Sequence, residues 1–360
     1  MTRRAGPGPR ATPRPRSLRA FATLLIVLTS AGCVDFFLAP DPARDPATVF
    51  ESLWGEYDAY YASFGIKGID WDSVYDEYRP QVRPGMSFVE LGDLLGRMVL
   101  GLRDGHATLE TPYGRYAYTG WYDVYPENYD QALAWSYVAA RPPGKGGTPP
   151  LIQGAGLSYG WVTDRIGYIG IRSFHNPAVR HGIDDALAML ADVDGLILDL
   201  RSNGGGSDRN AEAVAARLAH ERYLYRRVVY RNGPSHDDFT EPIDDYIEPY
   251  GEHRFTGPLA VLTNRRVYSA AESFVLALRP RPHTVQVGDT TGGGSGNPLG
   301  RELPNGWVFQ VPRWIEYDPH GETYEDVGLG PDVFIQLVPG SGRDAILERA
   351  IEELRGGTAR

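Results

Sequence analysis

Between positions 49 and 64 the apolar residues Val49, Phe50, Leu53, Trp54, Tyr57, Tyr60, Tyr61 and Phe64 recur at helical spacing and gather on one face. Asp45-Pro46 ahead of them reads as a helix cap followed by proline at the first helical position, where a missing N–H costs nothing. Trp71–Tyr78 predicts a second helix. Ser87-Phe88-Val89-Glu90 is a capping-box pattern that opens a third, with Phe88, Leu91, Leu95, Met98, Val99 and Leu102 facing inward. Residues 45–103 therefore predict a small helical domain. Residues 104–160, rich in Tyr, Gly and Pro, predict a long irregular connection.

From Trp161 the pattern changes to short apolar runs alternating with helical spacing. Ile166–Ile171 predicts a strand, Ala178–Leu190 a helix, and Gly195–Leu200 a buried strand that runs into Arg201-Ser202-Asn203-Gly204-Gly205-Gly206. Asn210–His220 follows as a helix, Leu259–Thr263 as a strand, Ala270–Leu278 as a helix and Thr284–Val287 as a strand. Val308–Tyr317 alternates like one long strand, and Arg343–Leu354 predicts a closing helix. Strand–helix alternation of this kind implies an α/β core with a largely parallel sheet over 161–340, ending in a helix and tail over 341–360.

The N-terminus adds a second kind of information. Residues 1–19 hold six arginines and no acid, Ala20–Leu28 is apolar, and the small residues Ser30, Ala31 and Gly32 precede Cys33. A basic region, a short apolar run and a small-residue site predict an export signal over 1–32, the run being too short for a permanent span. Cys33 is the only cysteine, so no disulfide forms within the protein; directly after Ser-Ala-Gly it resembles the acylated cysteine of a lipobox. A linker over 33–44, rich in Pro and Asp, would then tether an exported body to a bacterial membrane, in the periplasm or at the cell surface. Removing 1–32 leaves 30 basic residues against 46 acidic ones, a balance that argues against nucleic acid as a partner.

Four pieces of the sequence hold candidate chemistry. They are Leu102-Arg103-Asp104-Gly105-His106, the triple glycine after the Gly195–Leu200 strand, Tyr268-Ser269-Ala270-Ala271-Glu272, and Glu325-Asp326-Val327-Gly328-Leu329-Gly330-Pro331-Asp332. Ser269 stands on a strand-to-helix turn, which presents a hydroxyl at the edge of a sheet as acyl transfer requires. Ser269-x-x-Glu272 is also a capping box, and such serines commonly only cap helices. A glycine run after a buried strand is either a flexible turn or a means of bringing backbone N–H groups to a substrate carbonyl. The histidines form no spacing that suggests a metal site, and nothing calls for a cofactor.

In this order and spacing the four pieces resemble the signature set of the C-terminal processing (tail-specific) and tricorn-type serine peptidases, over roughly residues 45–340. The resemblance implies a crotonase/ClpP-like spiral core, Ser269 as nucleophile, and an oxyanion hole from Gly205, Gly206 and Ala270. The lysine-dependent branch carries a lysine in a Gly-Lys-Gly context after the serine; here the region reads Gly288-Asp289-Thr290-Thr291-Gly292-Gly293-Gly294, which excludes a Ser–Lys dyad. The tricorn-type branch implies His106 as base and Glu325 as its orienter. That branch can place a hydroxyl residue directly before the histidine, where this sequence has Gly105; either Thr108 substitutes or the carboxylate reaches His106 directly. The interval from His106 to Trp161 is too short for a PDZ module, so recognition of protein or peptide substrates would fall to the core itself. A member that binds a peptide or apolar ligand without cleaving it is the competing expectation.

Overall fold

In the computed structural model, which describes residues 43–140 and 151–356, helix α1 (Pro46–Tyr60) begins where its cap predicts, with the Asp45 carboxylate accepting from the N–H groups of Ala47 and Thr48. The expected export signal, Cys33 and all of the linker before residue 43 lie outside the described residues. A single turn, α2 (Phe64–Lys67), ends at left-handed Gly68, and α3 (Trp71–Tyr78) follows. In α4 (Phe88–Leu100) the capping box forms in both directions between Ser87 and Glu90. Strands β1 (Thr108–Thr111) and β2 (Gly114–Ala117) and two short helices, α5 (Gly120–Asp123) and α6 (Gln131–Ser136), occupy the stretch expected to be irregular.

The remaining elements are β3 (Ile152–Gly154), β4 (Leu157–Trp161), β5 (Ile166–Ile171), α7 (Val179–Met189), β6 (Gly195–Asp199), α8 (Asp208–Ala216), β7 (Tyr223–Tyr230) and β8 (Ile243–Ile247). Then come β9 (Leu259–Thr263), α9 (Ala270–Leu278), β10 (Thr284–Gly288), β11 (Leu299–Glu302), β12 (Val308–Val311), β13 (Trp314–Tyr317), β14 (Val333–Phe334) and α10 (Ala345–Arg355). The main sheet runs β14-β10-β9-β6-β5-β4-β3; its first five strands are parallel, β4 pairs antiparallel with β5, and β3 pairs antiparallel with β4. Every residue of β5, β6 and β9 is buried, as parallel strands covered on both faces must be. Side chains alternate between the faces. Leu196, Leu198 and Val261 pack under α7, α8 and α9, whereas Ile197, Ala260 and Leu262 pack on Ile346, Leu347 and Ala350 of α10. The α/β core with a parallel sheet, preceded by helices, is the expected fold.

The helices of residues 45–103 do not close a core by themselves. Their apolar faces, including Phe50, Leu53, Tyr57, Leu95 and Met98, pack with Leu109 of β1 and with Leu303, Trp307, Phe309 and Val311. A four-stranded antiparallel sheet in the order β11-β12-β1-β2 carries these residues, and Tyr57 Oη donates to the Gln310 carbonyl at 2.8 Å. The run 308–317 is two strands rather than one. Pro312 lacks a ladder donor, and Arg313 N–H turns to the Gly296 carbonyl at 2.8 Å, so the backbone passes from the β12 sheet into a three-stranded sheet β13-β7-β8. The helix expected over Asn210–His220 stops earlier because the N–H groups of Arg217 and Leu218 tighten onto the carbonyls of Val214 and Ala215. No helix among the described residues is long and apolar enough to cross a membrane.

Candidate active site

Strands β6 and β9 are parallel neighbours, so the loops that leave their C-terminal ends emerge side by side. After β9, Ser269 takes φ 58° and ψ −132°, a backbone region that L-residues rarely enter. Its N–H donates to Glu272 Oε2 at 3.1 Å, and its carbonyl accepts from Glu272 N–H at 2.6 Å. Ser269 and Glu272 thus stand in capping-box positions, but the hydrogen bonds run from Ser269 N–H to the Glu272 carboxylate and from Glu272 N–H to the Ser269 carbonyl, with none at the Ser269 hydroxyl. Ser269 is also only partly buried between fully buried neighbours.

The glycine loop after β6 lies directly against this turn. A Cβ on Gly205 would stand 2.6 Å from the Tyr268 carbonyl, 2.9 Å from Ser269 Cβ and 3.0 Å from Ala270 N, so only glycine permits the approach. Of the three expected oxyanion donors, Gly205 has its N–H taken by Asn203 Oδ1 at 2.9 Å. Gly206 N–H and Ala270 N–H have no acceptor among the described residues. Arg201 and Asp199 brace the strand end: the Arg201 guanidinium, fully buried, bonds both carboxylate oxygens of Asp199 and of Asp344.

His106 comes from the turn between α4 and β1, where its N–H donates to Asp104 Oδ1 at 2.8 Å. Its ring lies 4.7 Å from the Tyr268 ring, against the residue that precedes Ser269. Ring atom Nδ1 is buried and has no hydrogen-bond partner among the described residues. Burial lowers the His106 pKa, with Asp104 and Asp208 opposing and Lys67 reinforcing the shift. Glu325, buried in the segment before β14, does not bond the ring. Its Oε2 accepts from both N–H and Oγ of Ser295, at 2.7 and 2.9 Å, and its Oε1 lies 3.4 Å from Lys67 Nζ. The Ser295–Gly296 backbone passes against His106, since a Cβ on Gly296 would meet Nδ1 at 2.9 Å. Ser295, and not Thr108 on β1, is therefore the hydroxyl held by the glutamate beside the histidine.

Two buried carboxylates fix the Thr291–Ser295 loop. Glu272 accepts from Thr291 Oγ1, Gly293 N–H and Gly294 N–H in addition to Ser269 N–H. Burial pushes its carboxyl up, to about 8, against the pull of those donors. Burial likewise raises Glu325, to about 7, with Asp104 adding to the shift and Lys67 opposing it. Lys67 feels burial as its largest influence, but Asp104, Glu325 and Asp326 together outweigh it and hold the ammonium charged. Among the described residues no group of His, Cys, Asp and Glu is arranged to hold a metal ion.

Residues 165–335 match the model of peptidase family S41, and residues 42–100 match that of the tricorn protease C1 domain. The solved structure of a "putative peptidase" from Parabacteroides merdae is 35% identical, with a TM-score of 0.78 over 87% of this protein and 97% of that one. The chain belongs to peptidase family S41. Among curated S41-like relatives, "Tricorn protease" of Thermoplasma volcanium is 29% identical over 201 residues, which are 52% of this protein and 17% of that one. "Carboxy-terminal processing protease CtpA" of Bacillus subtilis is 28% identical over 178 residues, 48% of this protein and 36% of that one. The chain thus spans well under two thirds of either relative.

Within this S41 fold the signature pieces converge as follows. The loop of Gly205 packs on the Ser269 turn, the His106 ring lies against the ring of Tyr268, the residue before Ser269, and Glu325 stands off behind Ser295. Sequence reasoning missed Lys67, Ser295 and the Trp121–Tyr268 stack, whose rings lie 4.0 Å apart and 19° from parallel. Lys67 left no local signal, since it stands between the first two predicted helices and its partners Glu325 and Asp326 come from the far end of the sequence. Ser295 left none, since its role depends on a loop that folds back from the far side of β10.

Proposed function

We propose that this protein is a serine endopeptidase acting on exported proteins or peptides, with Ser269 as nucleophile, His106 as base and Glu325 acting through Ser295. The observation that carries the reading is Ser269 itself: a strained, partly exposed serine whose hydroxyl is not spent on its helix cap and against which a glycine loop is packed. Ser269 Oγ attacks the scissile carbonyl carbon while His106 takes its proton. The oxyanion that develops receives the N–H groups of Gly206 and Ala270, with Gly205 contributing the close approach. His106 then returns the proton to the leaving amine, and water hydrolyses the acyl-enzyme by the same path in reverse. Glu325 fixes the Ser295 hydroxyl in the loop beside His106 Nδ1, which has no partner among the described residues; a hydrogen bond from Nδ1–H to that hydroxyl, closed when substrate binds, lets the carboxylate favour the imidazolium. A serine-directed phosphonate should label the wild-type protein at Ser269, and Ser269→Ala should neither label nor cleave a denatured protein. Full cleavage by that variant would refute the assignment.

The reading includes export and a lipid anchor at Cys33, which rest on the sequence of residues 1–33. In a bacterial host the wild type should take up labelled palmitate and partition into detergent; equal behaviour of Cys33→Ser would leave only an export signal. A second reading, a family member that binds a peptide or apolar ligand without cleaving it, is favoured by one observation: His106 Nδ1 has no partner among the described residues. Tight peptide binding with no phosphonate labelling would select that reading.

A further inference from the structure

The helices α1 and α4 and the sheet beneath them have two unlike ends. At one end the C-termini of both helices meet: Tyr61, the C-cap of α1, donates through Oη to Asp104 Oδ2 at 3.0 Å, two residues before His106. Along the sheet, Ala62 N–H reaches the Pro312 carbonyl and Tyr57 Oη the Gln310 carbonyl, while Glu56 pairs with Arg301, which stands opposite Phe309. Helix α1 therefore runs with β12, and its N-terminus lies toward the start of that strand. The same order holds in α4. Phe88 meets the Trp307 ring edge-on and Gly92 faces the same indole, whereas Gly96 packs on Tyr116 one turn further along. Both helices start at the Trp307 end and finish at the His106 end, and the thirteen residues of α4 set these ends roughly 20 Å apart.

The Trp307 end carries an apolar patch. Phe88 and Val89 in the first turn of α4, Tyr113 at the tip of the β1–β2 hairpin and Val308 at the start of β12 are each 40% to 55% exposed. Trp307, itself buried, is the floor between Phe88 and Tyr113, with ring centres 5.9 and 6.4 Å away. Two ion pairs flank the patch, Arg83–Glu90 at 3.7 Å and Arg115–Glu110 at 3.2 Å, and their charges cancel. The four exposed side chains offer on the order of 400 Å², about half of what each partner gives to a stable protein interface. Aromatic rings beside aliphatic side chains suit the boundary between lipid headgroups and acyl chains instead. The covalent chain favours the same partner. Cys33 and Asp45 are twelve residues apart, a span of about 40 Å at full extension. A membrane that holds Cys33 is thus within that reach of the start of α1, at the end of the helices that bears the patch.

We propose that this patch is a lipid-contact surface: Phe88, Val89, Tyr113 and Val308 rest in the bilayer interface, and the His106 end of the same helices is held away from it, toward water. The proposal deepens the export-and-anchor reading above and rests on it for the presence of a membrane. Tyr113→Cys gives the acylated protein one free thiol, because the only native cysteine is the one acylated. An environment-sensitive fluorophore on that thiol should shift to the blue when the protein is reconstituted into phosphatidylcholine vesicles, and nitroxide-labelled phosphatidylcholine should quench it. The same fluorophore on Ile66→Cys, an exposed apolar position at the His106 end, should keep its emission in water. Adding Val89→Asp to the Tyr113→Cys protein should return the label to water while the protein stays on the vesicles. A second arm removes the dependence on acylation: the chain from residue 33 with Cys33→Ser is held on nickel-chelating lipid through a hexahistidine segment, and the Tyr113→Cys label is read again. A shifted, quenched label in this arm, with no flotation of the wild type on vesicles, would sink the anchor and keep the surface. A wild type that floats while the label stays water-like in both arms would do the reverse. A label that shifts without vesicles as protein concentration rises would give the patch to a second copy of the chain and overturn the proposal.

Discussion

At the scale of single residues the chemistry turns on one backbone angle. Ser269 at φ 58° holds a conformation that glycine adopts freely and serine does not, which costs about 1–3 kcal/mol. Ser269→Gly should abolish cleavage and raise stability by about 1 kcal/mol, seen as a Tm about 2–3 °C higher for a protein of this size. Ser269→Ala should abolish cleavage and leave Tm unchanged, because no cap bond is lost with the hydroxyl. A clear fall in Tm for Ser269→Ala would mean that the hydroxyl is a cap after all. The pH profile tests the other two residues. On the mechanism proposed above, the active form needs His106 without its extra proton and Glu325 ionised. Burial lowers His106 below its usual value of about 6.5 and lifts Glu325 to about 7, so Glu325 sets the acidic limb of kcat/KM in the wild type. Glu325→Gln should slow turnover and move that limb below pH 6.5, where His106 alone remains to titrate. An unmoved limb would separate Glu325 from the reaction.

At the scale of elements the loop from Thr291 to Ser295 does most of the positioning, and it does so through buried carboxylates rather than apolar packing. Glu272 connects this loop to the Ser269 turn by four accepted hydrogen bonds. Its pKa is raised by burial from 4.5 to about 8, so its stabilising contribution is complete below pH 4.5 and is lost as pH rises through 8. Wild-type Tm should therefore fall over that interval by an amount that Glu272→Gln lacks, so the difference between the two Tm values changes with pH; parallel curves from pH 5 to 9 would contradict the shift. The same loop marks the boundary of what the sequence discloses. Ile166–Ile171, Trp71–Tyr78 and Ala270–Leu278 were legible to the residue, because each has one dominant period and a clear cap or turn. Tyr223–Tyr230 was not, since Arg226 sits buried among Glu316, Asp245 and Asp208 and breaks the alternation that would announce a strand. The roles proposed for His106 and Ser269 rest on local motif. Ser295 and Lys67 gain their places only from tertiary contacts across long stretches of sequence, which no local pattern encodes.

At the scale of the whole molecule the order of the strands matters more than the order of the residues. The sheet carrying β1, which begins just after His106, is completed by β11 and β12; Ser295 arrives just before those strands and Glu325 after them. Without those strands the faces of α1 and α4 lose Leu303, Trp307, Phe309 and Val311, each worth roughly 1.5–3 kcal/mol of burial. A fragment ending after Gly288 retains Ser269, His106, Gly205 and Gly206, yet it should take up no phosphonate and should melt without a cooperative transition; labelling of that fragment would contradict the dependence. The consequence reaches into biosynthesis. On the peptidase reading, a growing polypeptide of this kind stays harmless to its neighbours and to itself until the segment through Glu325, close to its end, has emerged, so its late-arriving strands act as a built-in delay.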